Sequence, residues 1–322
     1  METVINKVLA SLKNGSFMGK AHNKIAFSVY RLLTGNANAA TYVRQCAAYR
    51  RLSQEFRDII RSAKENGWNP NPSNKVWVCW LQGFEDAPPL VQACCRSLKR
   101  NLPDREIVLL TEENLPDYIQ LPDYILTKYR ARNIGRAHYS DLLRVSLLCE
   151  YGGLWADATV LCTAPEFGEF LKTQPLFVFK KFDLTRADID PIIASSWLIS
   201  SYPQHCVLTL TRDLLYAYWK KSEYPADYFI FHIFFALAAR HYQELWDAVP
   251  AFNNHSPHTM GFELGAHFTP ERWKQLLKMS DFHKLNHHIS YSARNTIYGQ
   301  ILEKYGHGGG TGLSSLSFHR KE

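Results

Sequence analysis

Three charged residues are spaced so that they could share one piece of chemistry. Asp141 and Arg144 lie three residues apart in S-D-L-L-R, a spacing that puts both side chains on one side of a helix. Asp157 follows sixteen residues after Asp141, at the end of the apolar run L-W-A-D, and is succeeded by the small Ala158 and the hydroxyl of Thr159. A carboxylate at the lip of a sheet stands where α/β folds bind ligands. An open carboxylate site with few protein ligands suits a hard divalent cation shared with phosphate oxygens. On residue types alone, two plainer readings stay open: an ordinary helix ion pair for Asp141 and Arg144, and a strand-end turn residue for Asp157.

The surrounding elements must bring these groups together. From Lys75 onward, K-V-W-V-C-W-L-Q-G predicts a strand, L-V-Q-A-C-C-R-S-L-K-R-N-L a helix, and R-E-I-V-L-L-T-E-E-N a second strand, which is a βαβ opening. A helix is predicted over 138–151, stopped by Gly152 and Gly153, with L-W-A-D-A-T-V-L-C read as one strand directly after it. Strands are predicted at 176–180 and 195–200, helices at 207–220 and 228–245, and a loop-rich, histidine-bearing region over 251–291. Asp227 and His232 fall at the start of an aromatic helix, D-Y-F-I-F-H, where a buried polar group needs a partner. His255, His258 and His267 have no regular ligand spacing. His287 and His288 adjoin a predicted strand, where neighbours point to opposite faces, a poor arrangement for joint ligation.

Composition sets the wider limits. With 46% hydrophobic, 21% charged and 13% aromatic residues in 322, the chain is globular rather than disordered or low-complexity. The longest strongly apolar stretch, 228–239, is too short for a bilayer span, which needs roughly twenty apolar residues. The N-terminus lacks the pattern of a signal peptide, so the cytoplasm is the expected compartment. Seven cysteines without a C-x-x-C pair read as buried thiols. Residues 1–70 hold eleven Lys/Arg against four Asp/Glu, and the remainder is neutral at 26 of each. This basic helical segment, with helices at 4–12, 21–33 and 39–65, reads either as a solvated cap or as a docking face for an anionic membrane. No nucleic-acid signature accompanies it. The expected organisation is 1–70 basic and helical, 71–306 catalytic, and 307–322 a Gly/Ser-rich flexible tail.

S-D-L-L-R, Y-G-G-L-W-A-D-A-T and the upstream V-W-V-C-W-L-Q-G resemble the capsular-polysaccharide-synthesis glycosyltransferases. These are a branch of the DXD sugar-binding group that includes yeast-type mannosyltransferases and large glucosylating toxins. E-D-A-P-P-L-V, L-T-E-E-N, L-P-D-Y-I, D-Y-F-I-F-H and H-K-L follow in the family's order, so the resemblance spans roughly 75–303. It implies a GT-A fold, a single nucleotide-binding α/β sheet with an acceptor region on its C-terminal side. It further implies transfer from a nucleoside-diphosphate sugar, UDP preferred and GDP the alternative, to a capsular or lipopolysaccharide-type glycan, with retention of configuration and Mn²⁺ or Mg²⁺ as cofactor. Carried over by position, Asp141 and Arg144 would contact the base and ribose, Trp80 would lie against the base, and Asp157 would take the first acidic place of the DXD motif. Thr159 stands at the second acidic place, so the motif reads D-A-T with one carboxylate fewer. His283 is a further metal candidate, Lys284 would face phosphate, and Asp227 and His232 are acceptor-side candidates. The basic segment would hold the enzyme at the inner membrane face near a lipid-linked acceptor. A second reading is a non-catalytic sugar-nucleotide-binding scaffold subunit of a polysaccharide assembly.

Overall fold

The computed structural model describes residues 35–65, 67–181 and 189–306. The helices expected at 4–12 and 21–33 and the tail at 307–322 lie outside the described residues. Helix α1 (Ala37–Glu55) opens with Asn36, whose side chain accepts from the Asn38 and Ala39 amides, and a break at Phe56 separates it from α2 (Arg57–Ser62). Leu52 and Phe56 are buried in the main core, with Phe56 edge-on to Phe234 at 5.5 Å.

Strand β1 (Lys75–Cys79) leads through α3 (Pro89–Asn101) to β2 (Glu106–Leu110), which pairs parallel with β1. After α4 (Asp123–Arg130), the long α5 (Arg136–Tyr151) runs through the core and ends at Gly152. Gly152 and Gly153 both have positive φ, and a Cβ on Gly153 would overlap the Lys75 carbonyl. Only glycine adopts this backbone cheaply, and it turns the chain straight from α5 into β3 (Gly153–Ala156) beside β1.

The expected single strand over 154–162 is instead two strands in different sheets. β3 stops at Ala156, a turn over Asp157, Ala158 and Thr159 is closed by the Val160 amide donating to the Asp157 carbonyl, and β4 (Val160–Cys162) leaves the central sheet. Helix α6 (Glu166–Lys172), β5 (Leu176–Lys180) and β6 (Ala194–Ser201) follow. The central sheet has the order β2-β1-β3-β6-β5, and β6 alone runs against the other four. Alternate residues of β1 and β3 face opposite layers: Trp77 and Trp155 meet α5, whereas Val76, Val78, Leu154 and Ala156 belong to the cluster that also takes in Val91 and Leu98 of α3.

Helix α7 (Cys206–Lys221) agrees with its expectation, and the helix expected over 228–245 is α8 (Ile230–His241) and α9 (Gln243–Ala248), parted at Tyr242. The region expected to be loop-rich also holds α10 (Thr259–Phe262), α11 (Pro270–Leu277) and β7 (Phe282–Lys284), before α12 (Ile297–Tyr305). β7 pairs antiparallel with β4, setting Lys284 opposite Val160. All seven cysteines are free. Among the described residues, no helix is long and apolar enough to cross a membrane.

Candidate functional site

A cleft of about 1010 Å³ opens at the C-terminal ends of β1 and β3 and is lined by Trp80, Asp141, Arg144, Asp157, Thr159 and Lys284. The three residues singled out first therefore converge. Arg144 donates to Asp141 Oδ1 through Nη1 and to Asp157 Oδ1 through Nη2 at 3.0 Å. Its guanidinium lies 5.0 Å from the Trp155 ring centroid and 5.7 Å from that of Phe231, so two aromatic faces brace it. Asp157 is held further by the Trp155 indole N–H at 3.0 Å and by Lys284 Nζ, 3.2 Å from Oδ2. Lys284 also donates to Thr159 Oγ1 at 2.6 Å. The β4–β7 pairing makes these contacts possible by carrying a residue from late in the chain to the turn that bears Asp157.

The two carboxyls are tuned in opposite directions. Burial raises the pKa of Asp157, but Lys284 and Arg144, with hydrogen bonds from Trp155 and Lys284, outweigh it and leave the group below its ordinary value. For Asp141 burial prevails over Arg144 and His138, and its pKa is raised. Cys79 also lines the cleft, and burial pushes its thiol up to about 12, so it is no thiolate nucleophile.

Trp80 lines the cleft with its ring edge-on to His287 at 5.2 Å between centroids. His232 reaches the cleft from the first turn of α8. Burial and Arg144 push its pKa down to about 3, and its Nδ1 is buried without a hydrogen-bond partner. Asp227, expected beside His232, lies elsewhere. It is buried, receives the Phe229 amide at 2.9 Å and pairs with Arg44 of α1 at 3.0 Å, so it fastens the N-terminal helix to the start of α8. His283, expected beside the metal, points away from the cleft because neighbours on β7 alternate. It is fully buried, its Nε2 is 3.3 Å from Thr163 Oγ1, and burial pushes its pKa down to about 4.

Other cleft residues carried no signal in the sequence. His258 donates through Nδ1–H to the Asn254 carbonyl at 2.7 Å, and it packs edge-on to Trp197. His287 and His288 both line the cleft with ring centroids 4.0 Å apart, since no strand runs through them and the expected alternation does not apply. Arg136 and Lys181 add two more cations to the wall.

A divalent cation needs oxygen ligands with lone pairs to offer. Here Asp157 Oδ1 accepts from Arg144 and Trp155, Oδ2 faces the Lys284 ammonium, and Thr159 Oγ1 accepts from the same ammonium. Among the described residues, no three His, Cys, Asp or Glu side chains gather to hold a metal. This donor set does not fit a divalent ion held by the protein itself.

The chain is a mixed α/β protein with a charged cleft at the ends of its central strands. Residues 30–305 match the profile described as "Capsular polysaccharide synthesis protein", and the chain belongs to that family. Among solved structures it is similar to one titled "PaToxG Glycosyltransferase", at 15% identity over 64% of this chain and 83% of that one. The TM-score of 0.37 makes that likeness too loose to carry an argument. Comparison with curated proteins found no match.

Proposed function

We propose that the protein is a glycosyltransferase of GT-A type that moves a sugar from a nucleoside-diphosphate sugar to a growing capsular or lipopolysaccharide-type glycan. Membership of the capsular polysaccharide synthesis family supports a glycosyltransferase role. The observation that carries the finer reading is the convergence of Asp141, Arg144 and Asp157 on one cleft wall. The strand order, with a single antiparallel strand next to β3, is consistent with the GT-A type.

In this reading Trp80 offers an indole face to the base, UDP being preferred and GDP the alternative, and Asp141 accepts from ribose hydroxyls. Arg144 orients both carboxylates, and Asp157 positions Lys284 at the diphosphate. His232, neutral and lining the cleft, hydrogen-bonds a sugar hydroxyl on the acceptor side. Tyr228, Phe262 and Ile289 are 62%, 85% and 53% exposed on the rim and supply apolar surface for the acceptor. Rate enhancement comes from holding the two substrates together and from stabilising charge on the departing diphosphate. Configuration at the anomeric carbon is retained, so no dedicated general base is assigned.

The basic N-terminal segment places the enzyme on an anionic membrane face. Exposed Arg50, Arg57 and Arg61, with Arg240, line a shallow cavity of about 380 Å³. Because Leu52 and Phe56 belong to the core, reversing Arg57 and Arg61 to Glu is a better probe than deleting the segment. Flotation with vesicles containing phosphatidylserine at low salt should fall in that variant, and unchanged recovery would remove the membrane role.

The transfer reading is tested by Asp157→Asn. Loss of sugar transfer from UDP- or GDP-sugars by about a hundredfold or more is expected in variant protein shown by circular dichroism to be folded at the assay temperature. Full activity in the variant would take Asp157 out of the mechanism. Donor binding with no turnover on any donor by the parent protein would favour the scaffold reading.

A further inference from the structure

We propose that the Lys284 ammonium supplies the positive charge at the donor diphosphate, and that nucleotide binding by this protein needs no divalent metal. The inference rests on the nucleotide-sugar reading above and names the cation within it. The D-A-T turn presents one carboxylate and one hydroxyl, and Lys284 Nζ lies between them, 3.2 Å from Asp157 Oδ2 and 2.6 Å from Thr159 Oγ1. A cation is thus already built into the space between the two motif positions. A divalent ion entering there would have to displace the ammonium or bear its repulsion at close range.

The fold fixes this arrangement. Lys284 is opposite Val160 in the β4–β7 ladder, one residue beyond Thr159, so its stem starts beside the turn it must reach. An ammonium has three N–H groups, of which Asp157 and Thr159 take two, and the third is available to a phosphate oxygen in the cleft. The cleft wall carries Arg136, Arg144 and Lys284, with Lys181 beside them 3.6 Å from Asp190, against the carboxylates Asp141 and Asp157. A wall with more cations than carboxylates favours the anionic diphosphate of a nucleotide sugar.

In the transfer step, the acceptor hydroxyl oxygen bonds to the anomeric carbon. The bond from that carbon to the phosphate oxygen breaks, with its electron pair going to the phosphate. The hydroxyl proton passes to the departing diphosphate. Lys284 stabilises the charge that gathers on the leaving oxygen.

Calorimetric titration of UDP into the full chain, in MnCl₂ and separately in EDTA, tests the inference. The expected dissociation constants agree within about twofold. Lys284→Met should weaken UDP about tenfold to a hundredfold in both buffers, the effect of losing a hydrogen bond to a charged group. Lys284→Arg should keep most of the affinity, which separates loss of charge from loss of fold. Binding by the parent protein at least about tenfold tighter with Mn²⁺ than in EDTA would overturn the inference while leaving the nucleotide-sugar reading in place. Unchanged affinity in Lys284→Met would overturn it as well. Absence of UDP and GDP binding in either buffer would overturn both.

Discussion

Replacing Arg144, a residue 4% exposed, by Met keeps a long apolar stem and removes a guanidinium bonded to Asp141 and 3.0 Å from Asp157. Removing one partner of a buried ion pair costs about 3–5 kcal/mol because the other charge stays buried. Asp157 keeps Lys284 at 3.2 Å and its Trp155 hydrogen bond, so the loss falls mainly on Asp141. We expect about 3 kcal/mol at neutral pH, the lower end of that range. Burial already holds the Asp141 carboxyl above its ordinary value, with Arg144 pulling it down, so the variant raises it further. A carboxyl whose pKa is higher folded than unfolded takes up its proton more readily when folded. Stability therefore rises as pH falls through the folded pKa toward the unfolded one, and the variant should recover part of its loss on acidification. Adding Asp141→Asn to the variant removes the stranded charge and should restore about 1–2 kcal/mol at neutral pH. Urea unfolding across a pH series, on the parent, the single variants and the double variant, reads all three effects. A double variant no more stable than Arg144→Met, together with a loss that does not change with pH, would refute the coupling of these two side chains.

Trp80→Ala should weaken UDP by about tenfold through lost base stacking, with little change in the unfolding midpoint, and unchanged affinity by calorimetry would place the base elsewhere. His232 has its pKa pushed down to about 3, so it is neutral throughout the range in which enzymes are assayed. His232→Gln should raise the acceptor KM and leave the pH profile of transfer unaltered, whereas loss of an ionisation from that profile would contradict the neutral role. Gly153→Ala places a Cβ against the Lys75 carbonyl at positive φ and should cost about 3 kcal/mol or more, seen as a lower urea midpoint.

Much of the central sheet was legible because its signals are local. β1, β2, β5 and β6 are short apolar runs between polar turns, and α5 ends at a Gly-Gly pair that the geometry of its exit requires. The meeting of Asp141 and Arg144 followed from helix spacing, and that of Asp157 from its place at the end of β3. The D-A-T turn was hidden because L-W-A-D-A-T-V-L-C is buried along most of its length, and only the pairing of β4 with the distant β7 shows that the chain changes sheets there. The same pairing decides which of His283 and Lys284 enters the cleft. Asp227 finds its partner in Arg44, far away in sequence, which no local pattern announces. His258 reaches the site from a short 3-10 turn and His287 from a loop, and packing rather than periodicity sets the course of both.

The central claim is that one nucleotide-diphosphate ligand occupies the cleft shared by Asp141, Arg144, Asp157 and Lys284. A crystal structure of the protein soaked with UDP tests it most directly. The account predicts the base against Trp80, a ribose hydroxyl within hydrogen-bond distance of Asp141, and a phosphate oxygen within that distance of Lys284 Nζ. Nucleotide density away from these four side chains, or an empty cleft at saturating UDP and GDP, would contradict it.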